Sequence, residues 1–274
     1  LDTRERSFAH ELTYGTTRLR GRLDHLLTRH VHRGLTDVDP VVLEVLRLGA
    51  YQLLYMRSVP AYAAVSQSVD QVRLEVGGGP AGLVNAVLRK VGSDGDGAEL
   101  FPEFAGSPAD FLSTWGSHPR WLVDRWLRRW SPAEVRSLVE ADNARPSVYV
   151  VPLDEQPDQA VATLAASGIA ATEVGLGTRC VRLGEGASPA EALAALPCAI
   201  AQDPAANLVA AYADVPRGTK VADLCAAPGG KALAVSDRPL YTLAVDRSEA
   251  RLRMVRDNAA RTGRELGLAV ADAR

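Results

Sequence analysis

Cysteine, lysine and long apolar runs are all scarce in this chain. Of 274 residues, 3 are cysteines, at Cys180, Cys198 and Cys225. They form no CxxC pair and are odd in number, which argues against a disulfide framework and a zinc site and suits a reducing cytoplasm. No stretch approaches the roughly 18 uncharged apolar residues of a membrane span. The opening LDTRERSFAH is no signal peptide. Excess charge is also missing: the formal net charge is −2, so a nucleic-acid partner would need a local basic surface. Lysine occurs only at Lys90, Lys220 and Lys231, and arginine carries the remaining positive charge. What is present, 47% hydrophobic and 23% charged residues, is the composition of a globular protein with room for two or three domains. The chain starts with Leu1 rather than Met, so it is expected to be an excerpt.

Residues 1–91 read as helices. Asp39-Pro40 before VVLEVLRLGAYQLL combines an N-cap acceptor with a proline whose missing N–H costs nothing there. Val42, Val45, Leu46, Gly49 and Leu53 then recur at helical spacing. The same holds for Val65, Val69, Val72 and Val76, and for Leu83, Val84, Val87, Leu88 and Val91. With ELTYGTTRLRGRLDHLLTRHV these predict a helical bundle. GSDGDGAELFPEFAGSP, residues 92–108, is rich in Gly, Pro and acids and reads as a linker that isolates the bundle. Residues 109–216 are expected to form one connecting domain. It is helical to about 145, including HPRWLVDRWLRRW, and then α+β, with strands at 147–151 and 179–183. QDPAANLVAAYADV, at 202–215, is expected to be a helix.

From 217 onward strand and helix alternate: VADL, KALAV, YTLAVD, SEARLRMVRDNAARTG and LAVADAR. That is βαβαβ, the first half of a doubly wound parallel sheet, and the fold is expected to be cut in its middle. Between VADL and KALAV stand Pro228, Gly229 and Gly230, which make a sharp strand-to-helix turn open to a ligand with a negative end. The turn itself supplies neither GxxxxGK[ST] nor GxGxxG, so a P-loop and a dinucleotide fingerprint are excluded there. S-adenosylmethionine carries a carboxylate and no phosphate, and needs an acid at the second strand end for its ribose hydroxyls. Asp246 stands 17 residues after Gly229, near the spacing of a ribose-binding acid. Asp272 stands at the next strand end, where an adenine edge would lie. Taken singly, each feature also fits a plain turn or a helix cap.

DLCAAPGGKA resembles the cofactor loop of the RNA cytosine C5-methyltransferases, the NOL1/NOP2/Sun family. ELTYGTTRLRGRLDHLL, VDPVVLEVLRLGAYQLLYM, VPAYAAVSQSVD and GLVNAVLRKV resemble a NusB-type RNA-binding domain. SHPRWLVDRW and AQDPAANLVA are similar to the segments that join it to the methyltransferase. The resemblance implies a multidomain chain: an all-α NusB-like bundle, a small α+β middle domain and the first βαβαβ half of a Rossmann-like methyltransferase domain. It implies methylation of cytosine C5 in 16S ribosomal RNA, with Cys225, Ala226, Ala227, Pro228, Gly229, Gly230, Lys231, Asp246 and Asp272 binding S-adenosylmethionine. The implied partner is small-subunit ribosomal RNA, with no membrane and no metal, and the protein is expected to be a monomer. The family attacks cytosine C6 with a cysteine of a Thr-Cys-Ser stretch and releases product with one of an Asp-Ala-Pro-Cys stretch. Neither stretch occurs here, and both are expected beyond Arg274, so no catalytic residue is assigned and the chain by itself is expected to be inactive. Cys225 reads as a cofactor-loop residue, and Cys180 and Cys198 as buried thiols. The alternative is a non-catalytic NusB-like RNA-binding protein with a vestigial cofactor domain.

Candidates for RNA contact are Arg18, Arg20, Arg22, Arg29 and Arg33 with His25, His30 and His32, although a solvated helical face explains the same pattern. In RWLVDRWLRRW, Arg125, Arg128 and Arg129 share one helical face. Leu122, Trp126 and Trp130 share another, which is expected to dock in the core.

Overall fold

The computed structural model describes residues 2–273 and divides into two compact units at Ala144 and Arg145. The first unit is helical: α1 (Thr3–Arg18), α2 (Arg20–Thr28), α3 (Pro40–Tyr55), α4 (Ala61–Val76), α5 (Ala81–Asp94), α6 (Pro108–Thr114), α7 (Arg120–Leu127) and α8 (Pro132–Asn143). Local chemistry sets several starts. The Asp39 carboxylate accepts from the N–H groups of Val41 (2.8 Å) and Val42 (3.3 Å), with Pro40 in the first turn. Ser131 and Glu134 form a reciprocal capping box at α8, and the Ser131 hydrogen bonds hold the Glu134 carboxyl below its ordinary range. Among the described residues, no helix is long and apolar enough to cross a membrane.

The apolar faces of α2 to α5 close on one core that includes Leu23, Leu27, Val42, Leu46, Val84 and Leu88. A side chain at Gly49 would lie 2.6 Å from Leu88 and 2.7 Å from Ser68, so glycine there permits close helix contact. Arg47 is buried in this unit and pairs with both oxygens of Asp24 at 2.7 Å and with Glu44 at 2.5 Å. These carboxylates compensate a cation that burial alone would penalise.

Residues 92–108 are not an isolating spacer. Phe101 is buried in a second core with Leu26 of α2, Phe111, Leu112, Val123, Val135 and Val139. Arg22 lies 4.6 Å from the centre of the Trp115 ring and donates to the Trp115 carbonyl at 2.6 Å. His25 meets the Leu100 carbonyl at 2.9 Å. The acidic, glycine-rich composition hid two phenylalanines that anchor the segment. The span expected as one connecting domain, 109–216, is accordingly divided, its helices grouping with the bundle.

The second unit begins with a four-stranded antiparallel sheet of order β2-β3-β1-β4. Its strands are β1 (Tyr149–Pro152), β2 (Ala171–Glu173), β3 (Val181–Leu183) and β4 (Ala199–Ala201), with α9 (Pro157–Ala166) and α10 (Pro189–Ala195) packed on it. Then follow α11 (Pro204–Tyr212), β5 (Lys220–Asp223), α12 (Gly230–Val235), β6 (Tyr241–Asp246), α13 (Glu249–Arg261) and β7 (Gly267–Val270). β5, β6 and β7 are parallel neighbours in that order, as the βαβαβ pattern predicts. Val151 and Ile200 from the small sheet, with Cys180 just ahead of β3, share a core with Leu233 of α12 and Ala259 of α13. Arg261 donates to the carbonyls of Pro197 (2.9 Å) and Ala199 (2.7 Å), so the two sheets form one unit.

Candidate cofactor-binding site

β5 ends at Asp223, and the chain must turn sharply to start α12. The Asp223 carboxylate accepts from the Cys225 N–H at 3.1 Å, and the Ala226 N–H donates to the Val245 carbonyl at 2.9 Å. The peptide bond between Ala227 and Pro228 is cis, and Gly229 has φ +106°. At that φ an L side chain is strained. A β-carbon there would also sit 3.3 Å from Leu233 and Val255. The bend thus requires glycine.

β6 lies beside β5 in parallel register, which brings its end next to this loop. Asp246 is 6% exposed. One carboxylate oxygen accepts from the Ser248 N–H at 3.0 Å and the other from the Ala227 N–H at 3.3 Å. The Ser248 bond, then that of Ala227 and the nearby Arg251 and Arg247 charges, holds the carboxyl below its ordinary range. An ionised carboxylate has about four acceptor positions, so two remain for other donors.

A cavity of about 320 Å³ opens at these strand ends, lined by Leu224, Cys225, Asp246, Arg247, Arg251 and Asp272 among others. It therefore joins three of the residues singled out in the sequence. The others shape the loop: Ala226, Ala227 and Gly229 are buried, and Gly230 starts α12. Pro228 and Lys231 are exposed and do not line the cavity. β7 ends at Val270, so Asp272 stands two residues beyond the strand rather than at its last position.

Two contributors escaped the sequence reading. Arg251 donates to the Ala227 carbonyl at 3.2 Å and Asn258 to the Pro228 carbonyl at 3.1 Å, tying the loop to α13. Their spacing of seven places them on one helical face, the available signal.

Of the other cysteines, Cys180 is fully buried, and burial pushes its thiol pKa up. Cys198 was expected to be buried but is only half-buried, because it lies ahead of β4 beside Asp154; a hydrogen bond with Asp154 raises its pKa. Cys225 is exposed. Among the described residues, no three His, Cys, Asp or Glu side chains gather as metal ligands would. In the arginine-rich stretch, Arg22 and His25 serve the internal contacts above, while Arg20, Arg29, His32 and Arg33 are exposed. Arg125, Arg128 and Arg129 are exposed too. α7 stops at Leu127, so Trp130 falls outside it and is 44% exposed, not docked beside Trp126 as expected.

A parallel half-sheet with a Pro-Gly-Gly loop facing an acid on the next strand is a Rossmann-like arrangement, here preceded by a small antiparallel sheet and a helical bundle. Residues 1–93 match the model of the NusB family, and residues 118–189 that of the ferredoxin-like domain of RsmF/B-like methyltransferases. The chain therefore carries, over these two stretches, a NusB-type segment and a segment of the RsmF/B-like ferredoxin type. A putative methyltransferase of Mycobacterium tuberculosis is 35% identical over 237 residues, which are 83% of this chain and 51% of that relative. Ribosomal RNA small subunit methyltransferase B of Pseudomonas syringae is 31% identical over 291 residues, covering 100% of this chain and 61% of the relative. The chain thus spans between about half and three fifths of the length of these relatives. The crystal structure of PH0851 superposes with a TM-score of 0.72 at 17% identity, covering 99% of this chain and 62% of that one, and so shares the fold.

Proposed function

We propose that this chain is part of an enzyme that methylates cytosine C5 in small-subunit ribosomal RNA, with S-adenosylmethionine as methyl donor, in the cytoplasm. The observation that carries this reading is the convergence of Cys225, Asp246 and Asp272 on one cavity at parallel strand ends. The names of the ribosomal RNA methyltransferase relatives and the NusB match support the substrate class.

Asp246 would accept hydrogen bonds from the ribose diol, since it is ionised, buried and already oriented by two backbone donors. Asp272 would meet the adenine edge, and the loop backbone would border the amino-acid end. The bound cofactor would supply an electrophilic methyl group. In this reading none of the three cysteines is the nucleophile. Cys180 is sealed in the core, Cys198 is paired with Asp154, and Cys225 belongs to the loop that borders the cofactor. Arg20, Arg29 and Arg33 of the bundle are exposed and would serve RNA phosphates.

Calorimetric titration of the chain with S-adenosylhomocysteine tests the reading. Asp246→Ala should weaken binding at least ~10-fold, as loss of charge-assisted hydrogen bonds in a partly desolvated site requires. Asp246→Asn, which keeps shape and one acceptor without charge, should fall between. Unchanged affinity in Asp246→Ala would leave Asp246 as the acceptor that shapes the turn into α13 and nothing more.

A further inference from the structure

The segment AQDPAANLVA contains a side chain whose orientation the structure determines and whose donor it leaves unused. Gln202 is 8% exposed, and its Nε2 is buried without a hydrogen-bond partner. Its orientation follows from a short chain of bonds. The Arg179 backbone N–H can only donate, and it donates to Asn207 Oδ1 at 3.1 Å. Asn207 therefore presents Nδ2, which donates to Gln202 Oε1 at 3.1 Å. The remaining Gln202 atom, Nε2, must face away from Asn207. It faces the cofactor loop: a β-carbon placed on Gly230 would lie 3.1 Å from Nε2.

The Gln202 backbone is equally held. Its N–H donates to the Tyr149 carbonyl of β1 at 3.2 Å, and Asp203 next to it caps α11 by accepting from the Ala205 N–H at 2.8 Å. α11 packs on α12, the helix that Gly230 begins. An atom with no solvent access cannot touch a ligand directly. Whatever Gln202 contributes must pass through the loop.

We propose that Gln202, held by Asn207, is a positioning residue that fixes the Cys225–Lys231 loop from the small-sheet side by occupying the space a side chain at position 230 would take. The small antiparallel sheet thereby sets the geometry of the neighbouring cofactor loop. Its consequence for cofactor binding rests on the function proposed above; the positioning itself does not.

Hydrogen exchange on the ligand-free full chain tests the positioning. Gly230→Ala and Gln202→Ala should each speed exchange at the Ala226, Ala227 and Gly229 amides by about fivefold or more, the sign of a locally loosened segment. Exchange in 149–152 should not move. In the double variant the effect of adding the methyl at 230 should disappear, since the two groups compete for one space, whereas merely structural damage would add. Additive effects, or unchanged loop exchange in Gly230→Ala alone, would overturn the proposal. If Gln202→Ala also loosens 149–152, Gly230→Ala in the otherwise unchanged chain decides. In parallel, both single variants should weaken S-adenosylhomocysteine binding about fivefold or more by calorimetry, with Asp246→Ala as the reference for direct contact. If the unchanged chain fails to bind S-adenosylhomocysteine, the cofactor reading falls, and the exchange data still decide the positioning.

Discussion

The helical unit and the parallel half-sheet solve the packing problem with different residues. Leu23, Leu27, Leu46, Leu88, Val72 and Val84 fill the bundle, all essentially inaccessible. Around the loop between β5 and α12 the buried residues are mostly alanines, Ala226, Ala227, Ala232 and Ala244, with Leu252 and Val255. Large apolar side chains in the half-sheet region stay exposed instead, among them Leu240 at 74%, Val270 at 57% and Leu224 at 52%. Big side chains at helical spacing remove much surface from water and stabilise strongly. Alanine lets backbones approach, so that the Ala227 and Ser248 N–H groups can reach one carboxylate. One region is built for burial, the other for main-chain geometry.

That contrast can be broken by substitution. Leu46→Ala should destabilise the helical unit by about 3–4 kcal/mol, since Leu46 is fully buried in a core of large neighbours. Chemical denaturation should show this loss in the helical unit while the loop between β5 and α12 keeps its exchange protection. Truncation after residue 95 should cost the bundle about 2–3 kcal/mol, the usual value of uncovering a buried leucine such as Leu26. An equally stable 1–95 fragment would restore the picture of an isolated bundle. Val255→Ala, in the half-sheet, should cost about 2 kcal/mol or less, a smaller loss because fewer methyl groups are removed. It should nevertheless change ligand binding, because Val255 borders Gly229.

The smallest effect is expected at Tyr55, whose hydroxyl is buried near Arg22 and Asp96 without a hydrogen bond of good geometry and whose pKa burial raises. Tyr55→Phe should change stability by less than ~1 kcal/mol at neutral pH, because it removes a buried hydroxyl that makes no well-formed hydrogen bond. The folded state prefers the protonated phenol. The wild type should therefore lose stability as pH rises above about 10, the unfolded tyrosine value, and the Phe variant should lose less. Denaturation midpoints of both proteins between neutral pH and pH 11 check this.

The amino-acid sequence by itself determined the helices α3 to α5, the capped start at Asp39-Pro40, the strand–loop–helix turn and the βαβαβ order. These rest on signals contained within a few residues: apolar spacing, a cap, a glycine where φ is positive. It also placed Cys225, Asp246 and Asp272 together at neighbouring strand ends, where they line one cavity, since parallel βαβ connectivity brings successive strand ends together. Tertiary structure alone decided the rest. β2 and β4 have three residues each, too few for a period, and exist because β1 and β3 pair with them. Phe101 turned an apparent linker into core because Leu26, far off in sequence, lies against it. Gln202 faces Gly230, and Arg251 and Asn258 hold the loop carbonyls, only because the folded chain brings them there. A hydrogen bond between segments tens of residues apart leaves no local pattern, since either partner alone satisfies every rule of helix or loop.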